Sequence, residues 1–304
     1  MESTDKSTVL TFGRITPDTG RVRESARVTI GDTIIRDIDA APIAWRQGGR
    51  HTTTRPPVLF LHGLGGSRLS WQPQLTAIGA QRYSVAWDLP GYGVSEALHR
   101  GRSPMTFERL ADAAALFIQS LGVARAHVVG ISFGGMIAQY LAVQHPHRVA
   151  SLNLLATSPA FGLDGTSPEA WRAARLAPLD AGQQPRDFAD AVLRSLAGPQ
   201  ITADALDQQI DAMRRIPAAA LRQSVNCLIT HDSRPLLPNI TAPTQCIVGS
   251  LDSETPVAYS QAIVDLVPNA SLVVVEGAGH LLNAEAPDAV NAAILAHLAK
   301  VDPL

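Results

Sequence analysis

The sequence is poor in the features that mark several large classes of protein. Its 304 residues include two cysteines, Cys227 and Cys246. That allows at most one bridge and excludes a disulfide-framed fold; set in unlike contexts and without metal-ligand company, the two read as reduced thiols, and no metal site is expected. Charged residues make up only 17% of the chain and the net charge is −2, so no basic field exists to hold nucleic acid or an anionic membrane. Of 25 basic residues only Lys6 and Lys300 are lysines. No run of about 18 apolar residues is present to span a bilayer. The start, Met1 to Lys6, lacks the apolar centre of a signal peptide, so a cytoplasmic location is expected. Neither Gly63-Leu64-Gly65 nor Gly91-Tyr92-Gly93 extends to the G-x-G-x-x-G dinucleotide fingerprint, and no repeat or low-complexity tract appears. What is abundant is apolar: 46% hydrophobic residues and a mean hydropathy of +0.08. That balance belongs to a compact protein with a large core.

Continuous apolar runs occur at 57–61, 83–87, 127–131, 152–156, 245–248 and 272–275. Runs that do not alternate indicate strands covered on both faces, as in a parallel sheet. Shorter strand-like pieces precede them at Arg27–Ile30 and Ile43–Arg46. Between the runs, Leu110, Ala114, Phe117 and Leu121 step at helical spacing, Ile137 to Leu141 belong to a second helix, and Val290, Ile294 and Leu298 mark a third. Alternating strands and helices predict an α/β fold, a mostly parallel twisted sheet with helices on both faces. The alternation lapses over 157–238, where three helical stripes (Phe188/Val192/Leu196, Leu206/Ile210/Met213, Leu221/Val225/Leu228) predict a helical cap, or lid, between two strands. The core is then expected over 1–156 and 239–304, with 1–25 an irregular extension containing a turn at Thr16–Gly20.

Four stretches carry chemistry. Gly130-Ile131-Ser132-Phe133-Gly134 follows a strand and precedes a helix, the setting in which a tight turn presents a serine Oγ at the carboxyl end of a sheet. A serine nucleophile needs a base, and the base an orienting carboxylate. Asp252 and His280 follow the next two buried runs, so all three converge on one sheet edge; Glu254 and Asp232 are rivals for the acid. His62-Gly63-Leu64-Gly65-Gly66 ends the run at 57–61, and the backbone N–H groups of Leu64 and Phe133 can face an oxyanion, with His62 bracing that loop. Asp88, in a Gly/Pro-rich turn, reads as an Asx-type turn ending a strand. Trp171, Phe161, Phe188 and Met213 are candidates to line a substrate pocket.

These stretches, in this order from Val58 to Leu298, resemble the α/β-hydrolase superfamily. More narrowly, His62–Gly65 with Trp71 and Pro73-Gln74-Leu75, Gly134–Gln139, Ser167–Trp171, Asn226-Cys227 and His280–Glu285 are similar to the 3-oxoadipate enol-lactonase-like group. Departures are Phe133 after the nucleophile, where Met or Leu is commoner, and the long leading segment. The resemblance implies a serine hydrolase without cofactor that cleaves a small ester or (enol-)lactone with Ser132, His280 and Asp252. It also implies an anionic substrate, for which Arg214, Arg215 and Arg222 are candidate anchors, Arg215 foremost; a buried guanidinium without a partner is costly, so a neutral ester is the default. A C–C bond hydrolase of the same fold, an acyltransferase and a non-catalytic receptor retaining the triad remain alternatives. Ser132 excludes haloalkane dehalogenase chemistry, which needs a carboxylate there. The expected partner is a small molecule, and a homodimer is compatible with the composition.

Overall fold

The computed structural model describes residues 22–98 and 104–303; the turn expected at Thr16–Gly20 lies outside them. In chain order the elements are β1 Val22–Ile30, β2 Thr33–Ala40, β3 Trp45–Gly48, β4 Val58–Leu61, α1 Gln72–Gly79, β5 Ser84–Trp87, α2 Phe107–Ser120, β6 Ala126–Ile131, α3 Phe133–Gln144 and β7 Val149–Leu155. There follow α4 Pro168–Asp180, α5 Pro185–Leu196, α6 Ala203–Arg214, α7 Ala218–Leu228, β8 Thr244–Gly249, α8 Val257–Leu266, β9 Ala270–Val275, α9 Leu282–Glu285 and α10 Pro287–Val301.

The sheet runs β1-β2-β3-β5-β4-β6-β7-β8-β9. From β5 to β9 all pairings are parallel, whereas β1, β2 and β3 join antiparallel at one edge. The reason for the continuous apolar runs is visible in β4. Leu59 and Leu61 enter the core shared with α2, α3 and α8, while Val58 and Phe60 enter the opposite core with α1 and α10. Successive side chains point to opposite faces, and here both faces are covered. This makes the molecule an α/β fold, with a mostly parallel sheet between helices.

One expectation needs correction. Residues 22–25 are not irregular but open β1, which pairs along its length with the unanticipated β2. Most β1 side chains are exposed on both faces, so no hydrophobic period announces the strand; backbone pairing across a tight turn at Gly31 (φ +56°) holds it. Helices α4–α7 occupy the stretch between β7 and β8 where the strand–helix alternation lapses.

Candidate active site

The turn at Ser132 joins β6 to α3. Ser132 sits at φ +52° and ψ −119°, a left-handed conformation that strains a residue with a side chain. Its neighbours explain how the chain tolerates so sharp a bend. A Cβ on Gly130 would overlap the Gly134 carbonyl, and one on Gly134 would overlap the Leu61 carbonyl at the end of β4. Glycine at both positions lets the strand, the turn and the loop that follows β4 approach backbone to backbone.

Ser132 Oγ lies 3.1 Å from His280 Nε2, and His280 Nδ1 lies 3.0 and 3.1 Å from the two carboxylate oxygens of Asp252. The three residues follow β6, β9 and β8, whose parallel alignment delivers them to one edge. Asp252 is buried and is also held by the N–H groups of Glu254 and Thr255 (3.0 and 2.9 Å) and the Thr255 hydroxyl (2.8 Å). Burial opposes charge on Asp252, but the His280 charge and hydrogen bond, followed by the Thr255 donors, outweigh it and hold the carboxyl below its ordinary value. Burial likewise opposes protonation of His280. Asp252 and then Glu254 outweigh burial, so the imidazole titrates above its ordinary value, with Arg175 pulling the other way. Neither rival hydrogen-bonds to His280. Asp232 is on an exposed loop paired with Arg234 at 2.7 Å, and Glu254 pairs with Arg175 at 3.5 Å.

Two peptide groups face the serine side of this arrangement with matching architecture. The Gly63 carbonyl accepts from Gly66 N–H (3.0 Å) and is 2.8 Å from His62 Nδ1. The Ser132 carbonyl accepts from Met136 N–H (3.0 Å) and the Thr157 hydroxyl (2.8 Å). A trans peptide directs its N–H away from its carbonyl. Fixing each oxygen twice therefore aims the N–H of Leu64 and of Phe133 in the opposite direction, and no acceptor among the described residues takes either. His62 is buried and its Nε2 accepts from Leu89 N–H at 2.9 Å, which leaves Nδ1 as the donor to Gly63. Burial lowers its pKa to about 4, against the contribution of that hydrogen bond, so it is neutral and braces the loop. Tyr92 donates to the Leu64 carbonyl at 3.0 Å.

Asp88 is not an Asx turn, since the residue two places on is Pro90 and has no N–H to give. Its carboxylate instead accepts from Arg68 N–H at 2.8 Å, and burial pushes its pKa up to about 6 despite the Arg68 charge.

A cavity of about 260 Å³ opens on Ser132 and His280. Its apolar wall includes Trp171 and Met213 of α4 and α6, together with Phe188, Val192 and Leu221. Phe161, expected in the wall, stands behind Trp171 with ring centroids 5.4 Å apart. Arg215, expected at the substrate, caps the end of α6 beyond its buried face, pairs with Asp211 at 2.6 Å and borders a separate cleft with Arg46 and Arg68. Arg222 pairs with Asp180 at 2.7 Å. The arginine that does line the cavity is Arg175, its guanidinium 5.1 Å from the Trp171 ring centroid. Thr255, Arg175 and Gln209 are site residues that sequence reasoning missed. Thr255 had a signal in its place three residues after the acid, where Asp side chains accept backbone N–H groups.

Both cysteines are buried and unpaired, and burial pushes each thiol up to about 12. Among the described residues no group of His, Cys, Asp or Glu is arranged to hold a metal ion, and no helix is long and apolar enough to cross a membrane.

Comparison with known proteins gives a consistent picture. The model of the alpha/beta hydrolase family matches residues 58–293. A pimeloyl-acyl-carrier-protein methyl ester esterase of Chromobacterium violaceum is 34% identical over 236 residues, covering 74% of this chain and 87% of its own. The 3-oxoadipate enol-lactonase 1 of Acinetobacter baylyi is 28% identical over 237 residues, covering 77% of this chain and 85% of its own. The chain spans 64% of the length of another relative, the dihydrolipoyllysine-residue acetyltransferase component of the acetoin cleaving system of Pseudomonas putida, at 30% identity. Among solved structures, the enol-lactonase of Burkholderia xenovorans LB400 superposes with a TM-score of 0.74 at 24% identity, covering 90% of this chain and 99% of that one.

Proposed function

The chain belongs to the alpha/beta hydrolase family, and on that premise we propose that it is a serine hydrolase of small-molecule esters or lactones. The observation that carries the reading is the unbroken series Ser132 Oγ, His280 Nε2, His280 Nδ1 and Asp252, each step at hydrogen-bond distance. The relatives named as an ester esterase and an enol-lactonase support the substrate class.

In this mechanism Ser132 Oγ attacks the carbonyl carbon while His280 Nε2 accepts its proton. Asp252 holds the Nδ1–H and stabilises the imidazolium. The carbonyl oxygen, now negative, accepts from Leu64 N–H and Phe133 N–H, whose orientation is fixed before substrate arrives. Collapse expels the alkoxide, which takes the proton from His280; in a lactone that alkoxide stays tethered as the ring opens. Water then attacks the acyl-enzyme, with His280 again taking the proton, and Ser132 leaves as a hydroxyl. Helices α4–α7 act as the cap that determines which substrates fit.

Ser132→Ala is expected to lower kcat for p-nitrophenyl acetate on the order of 10⁶-fold, as loss of a triad nucleophile does, with the thermal midpoint unchanged. Retention of more than about a tenth of the wild-type kcat would refute the nucleophile, since it lies far outside that range. Fluorophosphonate labelling of Ser132 without multiple turnover of any ester would identify a binding protein instead.

A further inference from the structure

Away from Ser132 and His280, the cavity wall is apolar except at one place and at the Arg175–Glu254 pair, and the exception lies along α6, α9 and the turn at Ser70. Gln209 projects from α6 on the same buried face as Leu206, Ile210 and Met213. It is 6% exposed and lines the cavity. Among the described residues, nothing hydrogen-bonds to its amide. That amide is absent from the set of polar atoms sealed inside the protein without a partner, so it meets the cavity space rather than packed atoms. A primary amide in such a wall is costly unless something bonds to it, and a leucine or methionine would have filled the position without that cost.

Two further side chains have unused hydrogen-bonding capacity on this side. Asn283 of α9 is 3% exposed and donates from Nδ2 to the Ser70 carbonyl at 3.0 Å. That carbonyl can only accept, so the amide orientation is fixed and Oδ1 is the atom left over. Ser70, 5% exposed, accepts from Ser67 N–H at 3.2 Å, which leaves its O–H free to donate. Both residues line the same cavity as Gln209, and α6 packs against α9 and against the 3₁₀ turn Arg68–Trp71 that carries Ser70.

We propose that Gln209, Asn283 and Ser70 form a polar subsite that binds an uncharged hydroxyl group of the substrate, at a position removed from the scissile carbonyl. This rests on the hydrolase reading above and names the substrate class within it. The chemistry of the three side chains selects the group. Gln209 and Ser70 supply donors, and Gln209 Oε1 and Asn283 Oδ1 supply acceptors, so a group that both gives and takes a hydrogen bond satisfies them. A carbonyl would leave Asn283 Oδ1 unmatched, and a carboxylate would set its charge against two oxygens with no cation among the three. The cavity's one arginine among the described residues, Arg175, already faces Glu254. The subsite is thus an alternative to the anionic anchor that the enol-lactonase resemblance implies.

The test uses matched esters in two series with the purified full chain. One compares p-nitrophenyl 3-hydroxybutanoate with p-nitrophenyl butanoate, putting the hydroxyl on the acyl side. The other compares 4-hydroxybutyl acetate with butyl acetate, putting it on the alcohol side. The wild type is expected to favour the hydroxylated member of one series by about tenfold or more in kcat/KM, the value of one good hydrogen bond with its unpaired alternative. Gln209→Leu and the closer isostere Gln209→Met are expected to bring that ratio down towards one. Their thermal midpoints should be equal to or above that of the wild type, because an unpaired polar group has been removed from the wall. Equal rates within both series, or a preference that survives both substitutions in folded protein, would overturn the subsite. The hydrolase reading is judged separately, by whether Ser132→Ala abolishes hydrolysis of the unsubstituted esters.

Discussion

At the scale of single residues, the balance of charge around His280 makes a prediction about pH. In the proposed mechanism His280 must be neutral to accept the proton of Ser132, so activity is expected to fall as pH drops through the pKa of the His280–Asp252 pair. Burial lowers that pKa, but Asp252 and Glu254 outweigh burial and raise it, while Arg175 lowers it. The acid limb of kcat/KM is therefore expected above pH 6.5, the ordinary value for histidine. Removing the cation in Arg175→Gln should move the limb up, and removing the anion in Glu254→Gln should move it down. Both groups are about one-third exposed, so both shifts should shrink in added salt. Profiles that shift in the same direction in both variants would show that these charges do not act on the imidazole. The Asp252–His280 pairing was legible because Asp252 follows the buried strand β8 and His280 follows the apolar run of β9, which is itself only partly covered, at the sheet edge shared with Ser132. Arg175 was not, for a specific reason. The cavity-facing positions of α4 are 171, 174, 175 and 178, a perfect i, i+3, i+4, i+7 stripe. It is composed of Trp, Ala, Arg and Pro, so a hydrophobic period does not reveal it.

At the scale of elements, strands enclosed on both faces announce themselves, and strands that lean only on backbone pairing do not. β4 to β8 belong to the first kind; β1 belongs to the second, with side chains exposed from Arg23 to Thr29. The same scale holds the constraint on the serine turn. The close approach of Gly134 to the end of β4 is made by backbone on both sides, so no side chain can rotate away. Gly134→Ala is expected to cost about 1–3 kcal/mol or more, because the new methyl meets the Leu61 carbonyl and sits 2.7 Å from the His62 carbonyl. Gly65→Ala is the contrasting case: its methyl meets only side-chain ends, Met213 Sδ at 3.4 Å and Leu193 Cδ2 at 3.8 Å. Thermal denaturation of the two variants should separate them clearly, and equal midpoints would mean the turn is not as tightly seated as described.

At the scale of the whole molecule, one carboxylate joins the α5–α6 connection to the loop that carries His280. Glu285 is buried, and its oxygens accept from the N–H groups of Gly198, Gln200 and Gly279, at 3.1, 3.1 and 2.8 Å. Gln200 also reaches the Glu276 carbonyl at 3.1 Å. Nothing in the sequence around Glu285 pairs it with residues some 85 positions earlier, so this tie becomes visible only in three dimensions. Glu285→Gln turns one accepting oxygen into a donor facing donors. The expected result is a loss of about 1–3 kcal/mol of stability together with slower fluorophosphonate labelling of Ser132, since His280 loses a fixed support. Unchanged melting and labelling would make the tie incidental.

The cavity has a divided origin. Ser132, His280, Asp252 and the N–H groups of Leu64 and Phe133 lie at the ends of β4, β6, β8 and β9, whereas more than half of the residues lining the cavity lie between Trp171 and Leu228. That second group is continuous in the coding sequence. Under the proposed function, substrate preference is thus open to change by exchange or randomisation of one short stretch of gene, without altering the codons of Ser132, Asp252 or His280.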